Sequence, residues 1–116
     1  QKAFKWISLP AEQGDLKAQF FLGCMYEDGQ GVIQNYKEAI KWYTLAAEQG
    51  EMMAQSNLGH LYANEQTGKL DYIQAHKWFN ITGTDEKEKI EKLMTLNQIL
   101  EAKKLAREWF KEHKNI

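Results

Sequence analysis

The chain repeats itself, and that constrains its fold more than any other feature. Sliding the sequence by 36 residues aligns AEQGDLKAQFFLGCMYEDGQGVIQNYKEAIKWYTLA (11–46) with AEQGEMMAQSNLGHLYANEQTGKLDYIQAHKWFNIT (47–82) without a gap. Fourteen of the 36 positions are identical, against the roughly two that composition alone supplies. The register extends backwards, because Ala3, Lys5, Trp6 and Leu9 match Ala39, Lys41, Trp42 and Leu45. Forwards from Gly83 the match decays, as expected of a capping unit whose outer face meets water. A unit this short cannot bury its own apolar face, so successive copies must stack. The 116 residues therefore read as one solenoid: the second helix of a partial repeat at 1–10, repeats at 11–46 and 47–82, and a C-terminal cap at 83–116.

Each copy reads as two helices. In the first, Ala18, Leu22, Met25 and Tyr26 share a face at helical spacing, as do Ala54, Leu58, Leu61 and Tyr62. The second helix buries Tyr36, Ala39, Trp42, Tyr43 and Ala46, and in the next copy Tyr72, Ala75, Trp78 and Phe79. Tryptophans at 6, 42 and 78 recur with the repeat and are expected in the interior. Gly14 and Gly50 fall where a left-handed residue closes a helix. Gly29 and Gly31 suit a tight connection between helices. The second copy carries Glu65 and Thr67 there, with glycine only at 68, so a differently shaped loop is expected. Gly23 and Gly59 lie inside helices at a cost of about 1 kcal/mol each relative to alanine, which predicts close approach of a neighbouring helix. Pro10 is expected to end the first helix near Leu9. Thr95 and Gln98 form a capping-box signature ahead of a long helix with an apolar stripe, Ile99, Ala102, Leu105, Ala106, Trp109 and Phe110. The charged run Asp85 to Lys92 reads as a solvated helical face.

The composition removes several functions. Fifteen basic and sixteen acidic side chains give a net charge of −1, without the basic excess that nucleic-acid binding usually requires. No apolar run approaches the roughly 20 residues that a membrane span needs. One cysteine cannot form an internal disulfide.

Candidate contacts follow by subtraction. In a solenoid of helix pairs the first helices line the concave side. With Leu22 marking the core, Phe20, Cys24 and Glu27 point away and Gln19 lies on the flank. The second copy presents Ser56 and His60, flanked by Gln55 and Asn57. Phe20 is the candidate anchor, because interface energy concentrates on aromatic groups. Ser56, His60 and Asn64 at i, i+4 spacing invite a triad reading, but mid-helix amides are already bonded one turn back and offer no oxyanion hole. Cys24 and His60 share a repeat position, yet stand about a helix spacing apart, roughly 8–10 Å, beyond what one zinc ion spans. Gly29-Gln30-Gly31 has neither the preceding strand nor the following lysine of a phosphate loop. No cofactor, metal or catalytic residue is expected.

The string A-E-Q-G-x-x-x-A-Q-x-x-L-G-x-x-Y, then D-G-x-G-V, then Y-x-x-A-x-K-W-Y, closely resembles the Sel-one-like repeat (SLR), a relative of the tetratricopeptide repeat. The tail from Leu93 to Trp109 is similar to the closing helix of bacterial members. Pro10, in place of a repeat alanine, and the missing loop glycines at 65 and 67 depart from the pattern. The resemblance implies an all-α, right-handed α-solenoid of antiparallel helix pairs that serves as a non-catalytic adaptor or scaffold, holding a protein or peptide partner on its concave face. It also implies a bacterial source, in the cytoplasm, the periplasm or outside the cell. Cysteine-rich relatives are linked to cell-wall or β-lactam hydrolysis, but their paired cysteines are missing here. Phe4, Trp6, Ile7 and Leu9 are expected to leave apolar surface at the N-terminal helix. Further repeats upstream, or end-to-end self-association there, would cover it.

Overall fold

A computed structural model describes residues 2–114. Its helices are α1 (Lys2–Glu12), α2 (Leu16–Asp28), α3 (Tyr36–Glu48), α4 (Met52–Tyr62), α5 (Tyr72–Thr82), α6 (Glu86–Glu91) and α7 (Leu96–Glu112), with a 3-10 turn at Glu65–Thr67. No strand occurs among the described residues. The helices gather into two compact units that divide after Ala54, in the first turn of α4.

In the first unit α2 packs against both α1 and α3. Ala11, Leu22, Met25 and Trp42 form its buried cluster, flanked by Phe4, Ile7, Ala18, Tyr26 and Val32. In the second unit Ala75, Phe79 and Ile90 are buried among Tyr62, Ala63, Tyr72 and Met94. There α5 packs against α6 and α7, and the Trp78 and Trp109 rings meet edge to face at 5.9 Å.

Local chemistry explains where the helices start and stop. Asp15, Asn35, Asp71 and Thr95 each accept a backbone N–H of the first turn, satisfying a donor with no partner inside the helix. Asn35 and Asp71 are equivalent repeat positions. At α7 the capping box is complete: Gln98 N–H donates to Thr95 Oγ1, and Thr95 N–H donates to Gln98 Oε1. Thr95→Ala is expected to cost about 1 kcal/mol, read as a lower midpoint in urea unfolding.

Gly14 and Gly50 take the expected positive φ, 100° and 95°. The two interhelical loops differ as anticipated. The first turns at Gly29 and Gly31 (φ 72° and 76°), whereas the second forms the 3-10 turn and closes at Gly68 (φ 74°). Thr67 is buried in that turn, and its hydroxyl donates to backbone carbonyls. Both loops return in register: Asn35 N–H donates to Tyr26 O, and Asp71 N–H to Tyr62 O. Gly23 and Gly59 each lie against a ring, of Tyr43 and Phe79 respectively.

Three expectations are corrected. Trp42 and Trp78 are buried, but Trp6 is 77% exposed. Trp42 packs on residues from α1 and α2, whereas α1 meets that cluster through Phe4, Ile7 and Ala11 and not through Trp6. Second, α1 continues through Pro10 to Glu12. Proline removes one N–H and crowds the carbonyl four residues back. That carbonyl belongs to exposed Trp6, and the turn is closed beyond the ring by Gln13 N–H donating to Leu9 O. Third, Phe110, assigned to the apolar stripe of α7, is half exposed, while Ala102, Ala106 and Trp109 are buried. The Asp85–Lys92 run is helical from Glu86 to Glu91, and it buries Ile90.

Candidate functional site

Gln19 and Gln55 do not reach the surface on which they were expected. They are only 4% and 3% exposed. Gln19 Nε2 donates to Ala11 O at the end of α1, and its Oε1 accepts from Gln49 Nε2 just past α3 (3.1 and 2.8 Å). Because α2 lies between two neighbours, its buried arc is wider than one apolar stripe. A flanking amide therefore joins helices instead of meeting a ligand.

Phe20, Cys24 and Glu27 do gather on α2. Phe20 is half-buried, with its ring 5.9 Å from Tyr43 and 5.6 Å from Phe21. Phe21 is 53% exposed and presents the larger free aromatic surface, although the helical angle alone makes it a flank residue. The Tyr43 hydroxyl lies 2.6 Å from Glu27 Oε1, to which it donates, and 3.3 Å from Cys24 Sγ. Burial, with hydrogen bonds to Cys24 and Glu27, holds the Tyr43 phenol far above its usual range. Burial likewise pushes the Cys24 thiol up, so this cysteine is a poor nucleophile at neutral pH. What α2 offers is an exposed aromatic residue packed on a second one and, two turns further along, a carboxylate held in place by a buried phenol.

The second unit presents a more polar surface. Ser56 and Asn57 are half-buried and His60 is exposed. The imidazole packs edge-on against Phe79 with ring centroids 5.0 Å apart. His60, Ala63, Asn64, Glu65 and Gln66 line an open depression of about 520 Å³. Among the described residues no group of three His, Cys, Asp or Glu side chains could hold a metal ion. No helix there is long and apolar enough to cross a membrane.

One polar pair had no signal in the repeat. His76, fully buried on α5, meets Glu91 of α6 with Nε2 2.5 Å from the carboxylate. Its other ring nitrogen, Nδ1, is buried and has no hydrogen-bond partner. The hydrogen bond from His76 holds the Glu91 carboxyl below the usual glutamate range. The unfolded chain therefore takes up this proton at higher pH than the folded one. The contribution of Glu91 is complete at neutral pH and is lost as pH falls from about 4.5 through the lowered folded value. Glu91→Gln should flatten that acid-side loss, measured by denaturant unfolding from neutral pH downwards.

The pattern of the Sel1 repeat matches residues 1–15, 16–51 and 53–81. Among solved structures, a protective antigen of uropathogenic Escherichia coli with an SLR fold is 32% identical, with a TM-score of 0.88 over 97% of this chain. A Sel1 repeat protein from Oxalobacter formigenes is 42% identical, with a TM-score of 0.62 over 67% of this chain. The matches span 26% and 32% of those two chains. No curated protein matches. With helix pairs in the repeat register, the same capping positions and a family pattern over most of its length, the chain belongs to the Sel1 repeat family and has its α-solenoid class of fold.

Proposed function

We propose that this chain is a non-catalytic interaction module that contacts a peptide or partner protein through the outward face of α2 and, as a separate surface, through that of α4. Sel1 repeats are generally protein-interaction modules. The observation that carries the reading is the exposed Phe21 beside Phe20, together with Glu27 fixed by the Tyr43 hydroxyl. A packed aromatic pair and a positioned carboxylate on one helix suit contacts that lose little freedom on binding. Ser56, Asn57 and His60 supply adaptable polar contacts on α4, and Cys24 supplies small, inert contact surface on α2.

A photoactivatable crosslinking residue at position 21 or 57 tests this in the cell that makes the protein. A discrete adduct is expected from both positions. It should weaken when Glu27→Gln is combined with position 21, and His60→Ala with position 57. The exposed Lys37 on α3 serves as the control position. Equal crosslinking from position 37, or adducts indifferent to Glu27→Gln and His60→Ala, would defeat the assignment.

A further inference from the structure

The exposed side of α7 is organised in a way that closing a repeat array does not require. At 100° per residue, Leu96, Leu100, Lys104, Arg107, Phe110 and Lys111 fall within one arc of about 120°. All six are exposed; Leu96 is 70%, Leu100 54% and Phe110 50% accessible. Glu101, Glu108 and Glu112 fall on the other exposed flank, and Ala102, Ala106 and Trp109 face inward. A surface that only keeps a protein soluble mixes its charges and hides its leucines. Here the cations, with exposed Lys103 among them, share one arc with apolar side chains, and the glutamates border that arc on one side only.

We propose that this face of α7 docks an acidic, amphipathic protein segment. The side chains of Lys104, Arg107 and Lys111 make no ion pair or hydrogen bond with any described residue. Like charges three and four residues apart on a helix repel each other, and a row of carboxylates laid across them turns that repulsion into attraction. Leucine and phenylalanine at the two ends of the row give such a segment apolar anchors, while the lysine stems extend the apolar contact between them. A phosphate backbone would use the charge but leave the leucines without a role. A bilayer would need the continuous apolar stripe of the helix, and that stripe is turned inward.

The test uses the full chain to select from a displayed random-peptide library, with the Lys104→Glu/Arg107→Glu/Lys111→Glu chain as counter-selector. The selected peptides should be rich in Asp and Glu together with Leu or Phe. Their affinity should fall by about tenfold or more on charge reversal, and weaken with added salt. Leu96→Ser/Leu100→Ser should cause a comparable loss, with the helical spectrum and melting curve of both variants unchanged. Failure to select acidic peptides, or binding that survives both variants, overturns the proposal. So does flotation with phosphatidylserine vesicles, or a sedimenting dimer, that charge reversal abolishes while no acidic peptide binds.

Discussion

Trp78→Ala should remove about 3–5 kcal/mol of stability, while Trp6→Ala at the equivalent repeat position should change it by no more than about 0.5 kcal/mol. The two residues differ only in what surrounds them. Trp78 is 2% exposed and meets the edge of Trp109, whereas Trp6 is 77% exposed. Removing the buried indole leaves a cavity that the helices cannot fill without shifting; removing the exposed one leaves water where water already was. Trp42, 8% exposed within the cluster of α1 and α2, should behave like Trp78. A domain of this size has about 5–15 kcal/mol of stability in all, so Trp78→Ala takes a large share. Urea unfolding followed by circular dichroism measures both effects, and acrylamide should quench Trp6 far more readily than Trp42 or Trp78. Equal losses at positions 6 and 78 would mean that the repeat position, and not its surroundings, sets the contribution.

The same contrast explains what could be read from the sequence. A recurring residue identifies a role, but the role is filled only where neighbouring helices complete it. Leu22 and Leu58, Gly23 and Gly59, and Trp42 and Trp78 all occupy the predicted interior. Gln19 and Gln55 carried a signal of the wrong kind for a binding face. They are identical in the two copies, as the packing residues are, whereas positions 20 and 56, and 24 and 60, differ between copies and are not fully buried. Identity between copies marks shared packing and variation marks the outward face; that comparison would have moved both glutamines inward. Periodicity could not locate the His76–Glu91 pair. Position 76 corresponds to Ile40 in the preceding copy, and Glu91 belongs to α6, which has no counterpart in the repeat. Pro10 likewise needed coordinates, because the cost of a proline depends on whether the carbonyl it frees lies near water.

Gly23→Ala and Gly59→Ala should each destabilise the protein by about 2 kcal/mol or more, against the direction that helix propensity sets. By propensity alone, alanine in place of glycine inside a helix gains about 1 kcal/mol. A β-carbon at position 59 would stand 2.6 Å from Phe79 Cε1, and one at position 23 would stand 2.6 Å from Tyr43 Cδ1. Both distances are well inside van der Waals contact. Neither ring can swing aside cheaply. Phe79 is 1% exposed and carries the His60 ring on its face, and Tyr43 is fully buried with its hydroxyl bonded to Glu27. Overpacking of this kind costs typically 1–3 kcal/mol and occasionally more, and a clash against two ring atoms belongs at the upper end. The cause can be separated from a general intolerance of substitution by making room. Phe79→Leu costs stability by itself, but Gly59→Ala should be far less harmful in that background, with a coupling of about 1 kcal/mol or more between the two sites. A gain in stability from either single glycine replacement would mean that the helix pairs stand further apart than the ring contacts require. The recurring glycine would then be a feature of the repeat with no packing reason behind it.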